Sequence, residues 1–189
     1  CRDAHRWSPY GTGGPLGVSV NLSPRQLVDP RFVEQVTDTL ARCALPPSAL
    51  MLEITETTLM RDSAADVEKL QELRAIGVRL AIDDFGTGYS SMSYLRQFPI
   101  DVLKVAKPFV DGLGNTAADA SFTEAIVRLG QSLGVEVIAE GISDTVQLDL
   151  LESMGCHLGQ GFLFSPALDA PVFSRLSLDL ATPVAGVPA

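Results

Sequence analysis

Cysteine and histidine are scarce in this chain of 189 residues, which contains three cysteines and two histidines. Cys1, Cys43 and Cys156 are far apart in the sequence, odd in number and without a C-x-x-C pair. This pattern gives no support to a zinc site or a redox motif, because both need cysteines at short, regular spacing. Isolated cysteines favour reduced thiols instead, and we therefore expect a cytoplasmic protein.

Basic residues and long apolar runs are also few. Lysine and arginine number 14 against 23 aspartates and glutamates, which gives a net charge of −9. This balance argues against a nucleic acid polymer as ligand, because its phosphates attract clustered basic side chains. It allows a small phosphorylated ligand that is bound through metal ions. No apolar run approaches the roughly 20 residues of a membrane span, so we expect no membrane contact from this segment.

The chain alternates between short apolar runs and longer segments with helical spacing. This alternation predicts a parallel sheet covered by helices. No dinucleotide or P-loop fingerprint accompanies the runs, so two architectures remain, an open sheet and a (β/α)8 barrel with about six of its eight units in this chain. The predicted strands are 17–21, 50–55, 78–83, 102–105, 135–139 and 161–164, and the longer helices are 30–43, 63–75, 118–133 and 170–180.

Five predicted strands carry a polar residue at or near their carboxyl ends, always on the face opposite the main apolar set. We call these the mouth residues: Asn21, Glu53, Asp83, Lys104 and Glu140. A parallel sheet buried on both faces should read as continuous apolar runs instead. Each residue alone is explained by a solvated strand end. Their shared side and shared end favour a barrel, where inward residues converge on the catalytic mouth.

The chemistry of this set points to hard cations. Apart from Lys104, the mouth residues and the adjacent Asp84 supply only oxygen ligands, which Mg²⁺ and Mn²⁺ prefer. Packed carboxylates repel one another unless protons or metals neutralise them. A site with two metals suits phosphoryl transfer, in which it stabilises the attacking and leaving oxygens. Lys104 would orient water or neutralise phosphate charge.

A glycine-rich segment over 84–91 follows the third predicted strand. Glycine pairs are common in turns, so this segment has a plain interpretation as a tight connection between strand and helix. Its alternative is a mobile loop that reports the state of the site to a neighbouring molecule.

These residues together resemble the EAL-type cyclic di-GMP phosphodiesterase domain over roughly residues 15–166. The segment over 84–91 is the most specific part of the resemblance, and the shorter stretches add weight by their order and spacing. The matching stretches are 18–23, 52–56, 81–91, 103–105, 139–142 and 159–162.

The resemblance implies a (β/α)8 barrel that uses Mg²⁺ or Mn²⁺ to hydrolyse cyclic di-GMP to the linear dinucleotide. By position, Asn21, Glu53, Asp83 and Asp84 would be metal ligands. Catalysis would fall to Glu140 and Lys104, the latter in contact with the attacking water. Glu56 would anchor the segment over 84–91, which also contributes to homodimers in this family, and Gln160 would lie near the site.

The sequence departs from the family pattern at three places. The Glu-Ala-Leu stretch that names the family is absent from these residues. The family motif Lys-x-Asp ends here in Ala106, and Ser143 stands at a position that is usually acidic. Losing such groups costs metal affinity or activity, so the alternative is a weakened domain that acts as a cyclic di-GMP receptor and dimerisation module. A purely structural domain is disfavoured by the near-complete set of ligands.

The length adds a further expectation. A (β/α)8 barrel typically has about 250 residues, so a chain of 189 residues falls short by close to two βα units. We expect those units, with the missing motif, before residue 1, and a sensory or cyclase domain upstream of them. The domain itself would cover 1–181, and the residues 182–189 would form a mobile tail.

Overall fold

A sheet of six parallel strands, arranged in the order of the chain, forms the frame of the protein. The computed structural model describes residues 1, 16–59, 64–88, 95 and 97–181. Sequential strand order is that of a barrel, since a doubly wound open sheet reverses its order at a switch point. The sheet curls into a half-barrel, which confirms the predicted barrel class. Its strands are β1 (Val18–Asn21), β2 (Leu50–Thr55), β3 (Arg79–Phe85), β4 (Val102–Val105), β5 (Glu136–Glu140) and β6 (Leu158–Gln160).

Helices connect the strands, and local sequence sets several of their ends. Ser23 caps the first helix in a capping box with Gln26, and Pro24 stands at its first position. Thr116 and Asp144 cap two later helices through their side-chain oxygens. The described helices are α1 (Pro24–Val28), α2 (Phe32–Cys43), α3 (Glu56–Leu59), α4 (Ala64–Ala75), α5 (Lys107–Asp111), α6 (Ala117–Leu133), α7 (Thr145–Ser153) and α8 (Ala170–Ala181), with a 3₁₀ turn at Pro47–Ala49.

Strand alternation separates the core from the site. Ile54, Leu80, Ile82 and Leu103 are fully buried members of the hydrophobic core. Side chains of opposite parity point to the other, concave face of the sheet. The mouth residues belong to this second set, so the burial of the apolar set determines which way they face.

The sixth strand lies three residues earlier than the sequence predicts. β6 pairs residues 158–160 with residues 138–140 of β5, whereas 161–164 form a turn in which Phe164 N–H donates to Gly161 O at 3.1 Å. A β-carbon on Gly161 would collide with the backbone of Ile142, so the chain crosses closely over Ile142 as it leaves the sheet. Phe162 and Phe164 are 77% and 56% exposed. The prediction of a strand over 161–164 was wrong because apolar composition does not determine the pairing register.

Parts of two predicted segments lie outside the described residues. In the glycine-rich segment, Asp84 and Phe85 belong to β3, and the structure describes the chain as far as Gly88. Residues 89–91 and the expected tail over 182–189 are not among the described residues. None of the described helices combines the length and the apolar character that crossing a membrane requires.

We expect the 189-residue chain to fold poorly by itself. Among the described strands, β1 and β6 each pair along one edge only, and unpaired strand edges favour association with other chains. Thermal unfolding of the monomeric fraction, followed by circular dichroism, should show a broad, weakly cooperative change. A sharp cooperative transition from this monomer would contradict the expectation.

Candidate functional site

Lys104 on β4 lies at the centre of a buried charge cluster. Its Nζ is 2.8 Å from Glu53 Oε1, 2.9 Å from Asp83 Oδ1 and 2.5 Å from Glu140 Oε1. These carboxylates come from β2, β3 and β5, so one ammonium group ties four neighbouring strands together. Only 3% of the Lys104 side chain is exposed. Four of the five mouth residues are therefore in direct contact.

The carboxylates keep this lysine charged. Burial acts to lower the pKa of Lys104, but its close contacts with the Glu140, Glu53 and Asp83 carboxylates outweigh it and raise the pKa above its ordinary value. The pKa of Glu140 is also raised, chiefly by burial, although Lys104 opposes the shift. One ammonium faces three carboxyl groups, so when all three are ionised the cluster retains two negative charges. That excess suits a divalent cation.

A second grouping overlaps the first. Carboxylate oxygens of Asp83, Asp84 and Glu140 all lie within 4.8 Å of one another. Neighbouring side chains on a regular strand point to opposite faces, but Asp84 has a φ of 53° and the pairing of β3 with β4 shifts between Ile82 and Phe85. This irregularity accompanies the approach of two consecutive carboxylates to one place.

The donor set fits a hard divalent cation. Asp83 Oδ1 is buried and forms no aligned hydrogen bond with any described group, although Lys104 Nζ is 2.9 Å away. A buried carboxylate oxygen in that condition has capacity for another ligand. The grouped oxygens of Asp83, Asp84 and Glu140 are of the type that Mg²⁺ and Mn²⁺ prefer over thiolate or imidazole.

The two edge strands contribute the remaining polar residues of the mouth. Asn21 is exposed and lies opposite Glu53 in the register of β1 with β2. Gln160 on β6 donates from Nε2 to Glu140 Oε1 at 2.7 Å. Glu140 Oε1 therefore accepts from both Lys104 and Gln160, which fixes its direction.

Glu56 lies apart from the charge cluster, at the start of α3. Its Oε2 accepts hydrogen bonds from the backbone N–H groups of Gly86 and Gly88, at 2.9 Å and 3.1 Å. A β-carbon on Gly88 would lie only 2.8 Å from Glu56 Oε1. The buried carboxylate thus holds the beginning of the glycine-rich segment against the end of β2.

The two positions that depart from the family pattern carry no acid into the site. Ala106 is fully buried and forms the N-cap of α5 without a side-chain hydrogen bond. The Ser143 hydroxyl and N–H both donate to Gln147 Oε1, at 3.1 Å and 2.8 Å. Ser143 therefore contributes to the start of α7.

Thr55 is a site residue that the sequence analysis did not single out. It lies opposite Asp83 in the register of β2 with β3, and its hydroxyl is 2.8 Å from that of Thr58. The sequence indicates this position only through strand alternation, because Thr55 stands two residues after Glu53 and its side chain therefore lies on the same face of β2. A neutral hydroxyl is a weak signal beside carboxylates.

Comparison with known families decides the classification. Residues 1–167 match the family described as EAL domain. The chain belongs to the EAL-domain family. It is 40% identical over 170 residues to the bifunctional diguanylate cyclase/cyclic di-GMP phosphodiesterase MucR of Pseudomonas aeruginosa. That match covers 90% of this chain and 25% of MucR, and the chain spans about a quarter of the length of the first curated relatives it matches.

Solved EAL structures share the fold of this chain. The cyclic di-GMP complex of the MucR phosphodiesterase matches with a TM-score of 0.85 at 39% identity, covering 92% of this chain and 70% of that one. The EAL domain of Mycobacterium smegmatis DcpA matches with a TM-score of 0.89 at 35% identity, covering 97% and 82%. The manganese and cyclic di-GMP complex of Klebsiella pneumoniae BlrP1 has a TM-score of 0.79 at 33% identity, covering 87% and 41%.

Removing the ammonium group should destabilise the sheet. In Lys104→Met, three carboxylates keep their places without a cation, and breaking a buried ion pair in this way costs about 3–5 kcal/mol. Native-state hydrogen exchange of the β4 amides in EDTA measures this loss in the full-length protein. Lys107→Met is the matched control, because its exposed pair with Asp111 contributes less than about 1 kcal/mol. Equal effects of the two substitutions would contradict the assignment.

Proposed function

We propose that this EAL domain hydrolyses one phosphodiester bond of cyclic di-GMP and releases the linear dinucleotide, with Mg²⁺ or Mn²⁺ bound at two positions. The observation that carries the proposal is the approach of Asp83, Asp84 and Glu140 to within 4.8 Å beside the buried ammonium of Lys104. The cyclic di-GMP complexes of MucR and BlrP1 support it. A ligand with two phosphates also needs bound cations to approach a chain with a net charge of −9.

Each of the two proposed metal positions would have its own oxygen ligands. Asn21, Glu53 and Asp83 would hold one cation, and Asp84 would help to hold the second. When bound, such cations lower the pKa of a coordinated water and stabilise the attacking and leaving oxygens. Because consecutive residues Asp83 and Asp84 both contribute, a single irregular stretch of β3 sets the spacing of the two positions.

In the proposed reaction Lys104 would stabilise negative charge, and Glu140 would act as the base. Lys104 donates hydrogen bonds toward the attacking water and a phosphate oxygen. Glu140 accepts a proton from the water while the water oxygen bonds to phosphorus. The bond from phosphorus to the ribose oxygen then breaks, that oxygen takes up a proton from a solvent water, and Glu140 returns its proton to solvent. Gln160 fixes the direction of the Glu140 carboxylate through the hydrogen bond at 2.7 Å.

The setting of this activity is part of the same proposal. MucR is a bifunctional cyclase and phosphodiesterase that is about four times longer than the matched segment, which supports a sensory or cyclase domain upstream. The proposed location of this segment is the cytoplasm. Homodimers would form through the segment over 84–91. The Glu56 contacts with Gly86 and Gly88 join the beginning of that segment to the end of the β2 strand that carries Glu53, so a dimer formed there would be coupled to the site.

A second function is favoured by Ala106 and Ser143. Both stand where the family pattern has an acid, and neither supplies a carboxylate here. The domain would then bind cyclic di-GMP without rapid turnover and signal through its dimer. Binding in Ca²⁺ together with slow hydrolysis in Mn²⁺ distinguishes this receptor from an active phosphodiesterase.

Hydrolysis by the full-length protein tests the main proposal. Incubation of cyclic di-GMP with Mn²⁺ should yield the linear dinucleotide, measured by chromatography. Asp83→Asn should lower the rate by about 100-fold or more, because a metal ligand loses its charge. Asp111→Asn is the matched control, since that exposed side chain pairs with Lys107 on α5, and it should leave the rate unchanged. The absence of linear product from the unaltered protein would contradict the proposal.

Restoring an acid at position 106 should raise the activity. Ala106→Asp places a carboxylate at the buried N-cap of α5, two residues after Lys104, and a restored charged group near a metal is worth about tenfold or more. Ala106→Asn is nearly the same size without the charge and serves as the control. Rates of hydrolysis in Mn²⁺ measure the difference. Equal rates for the two variants would show that the missing acid does not limit turnover.

A further inference from the structure

The place of the Asp84 carboxylate depends on an unusual backbone. Asp84 has a φ of 53° and Gly86 a φ of 95°; aspartate enters this left-handed region more readily than most residues other than glycine, but at some cost in free energy. Thr87 donates from its hydroxyl to Asp84 O at 2.8 Å, which closes a turn directly after the carboxylate. Contacts from outside the turn add to this local restraint.

Glu56 provides one restraint, and it acts on the N–H groups. A single oxygen accepts from Gly86 at 2.9 Å and from Gly88 at 3.1 Å. Hydrogen bonds to an ionised acceptor are the stronger kind. They fix two amides but leave the opposite surface of Gly86 without support from Glu56.

Phe109 provides a second restraint on that other surface. A β-carbon built on Gly86 would lie 2.7 Å from Phe109 Cε2 and 3.1 Å from Cζ, and 3.1 Å from Ile126 Cδ1. Real β-carbons do not approach other atoms so closely, so the aromatic ring leaves room at position 86 for glycine alone. Position 86 is thus confined by a charged acceptor on its N–H and by a ring over its Cα.

The ring itself is held firmly. Phe109 lies on α5, which begins two residues after β4 ends, and its carbonyl accepts the hydroxyl of the fully buried Thr123 at 3.2 Å. Its ring packs on that of Phe122 with centroids 4.9 Å apart. Phe122 is half exposed. The three atoms nearest to a β-carbon built on Gly86 belong to Phe109 and Ile126, and none belongs to Phe122. Phe109 is therefore the aromatic residue that transmits the position of α5 to the turn.

We infer that Phe109 is a positioning residue, which together with Glu56 grips Gly86 and so directs the Asp84 carboxylate toward Asp83 and Glu140. It touches neither substrate nor metal in this role, and it acts through the backbone of the turn. The inference rests on the proposed function only for the statement that Asp84 binds a metal. The grip on Gly86 stands on the packing alone.

Four single substitutions and one double substitution in the full-length protein test the inference. Phe109→Ala removes the ring, and Phe109→Met keeps a long apolar side chain that adapts to the same space. Phe122→Ala is the matched control, because it removes an aromatic ring from the same pair on the side away from Gly86. Gly86→Ala is measured alone and in the Phe109→Ala background as a double-mutant cycle.

Two measurements are made on each variant. Hydrogen exchange of the Gly86 and Gly88 amides should accelerate about tenfold or more in Phe109→Ala, while the amides of Ile82 and Val105 in the core keep their protection. Binding of Mn²⁺ alone, followed by electron paramagnetic resonance of the free ion, should weaken by about 10–100-fold. Phe122→Ala removes one packing partner of the Phe109 ring but keeps the ring itself, so it should change both clearly less than Phe109→Ala does, and Phe109→Met should restore most of the affinity.

The cycle gives an independent check. Gly86→Ala combines backbone strain with a collision against the ring, and without the ring only the strain and the milder approach to Ile126 Cδ1 remain. Its effect on Mn²⁺ binding should therefore be several times smaller in the Phe109→Ala background. Unchanged exchange at Gly86 in Phe109→Ala, or an equal loss in Phe122→Ala, would overturn the inference. If the unaltered protein binds no Mn²⁺, the proposed metal site fails, and the exchange at Gly86 alone decides for or against the grip.

Discussion

One buried ammonium group organises the described part of this protein. Lys104 Nζ lies within 3 Å of carboxylates from β2, β3 and β5, so the repulsion between those carboxylates is offset at a single point on β4. Burying a charged group is costly unless partners surround it, and here the partners are the functional residues. The curvature of the sheet and the composition of the site are therefore consequences of the same contact, because side chains on four successive strands meet only on a concave face.

The contacts of Lys104 with the three carboxylates also explain why the site suits a cation. Lys104 balances one of three negative charges, and the remaining excess, together with the unaligned Asp83 Oδ1, suits a divalent ion. A bound ion would compete with the Lys104 ammonium for Asp83 and Glu140. Asp84 is outside this ammonium shell, and its place is set by the turn that Glu56 and Phe109 hold. The ion pairs with Lys104 thus position Asp83 and Glu140, whereas the turn positions Asp84.

Local patterns in the sequence predict the cluster around Lys104, but they do not predict the turn that positions Asp84. Period-two alternation places Glu53, Asp83, Lys104 and Glu140 on one face, because burial of Ile54 and Leu103 on the opposite face leaves no other orientation. The backbone irregularity at Asp84 interrupts this alternation and is not predicted by it. The ring over Gly86 belongs to Phe109, which is 23 positions later in the chain, and no rule of sequence spacing predicts such a contact. The sixth strand was misplaced for a related reason, since its register depends on β5 and not on the apolar run over 161–164.

The central claim is that the carboxylates around Lys104 bind divalent cations that receive cyclic di-GMP. Anomalous diffraction at the manganese edge, from crystals of the full-length protein grown with Mn²⁺ and cyclic di-GMP, tests it most directly. The account predicts manganese in direct contact with Asp83 and Asp84, a ligand phosphate beside it, and Lys104 withdrawn from at least one carboxylate. Cyclic di-GMP bound in the mouth with no manganese at these carboxylates would contradict the account.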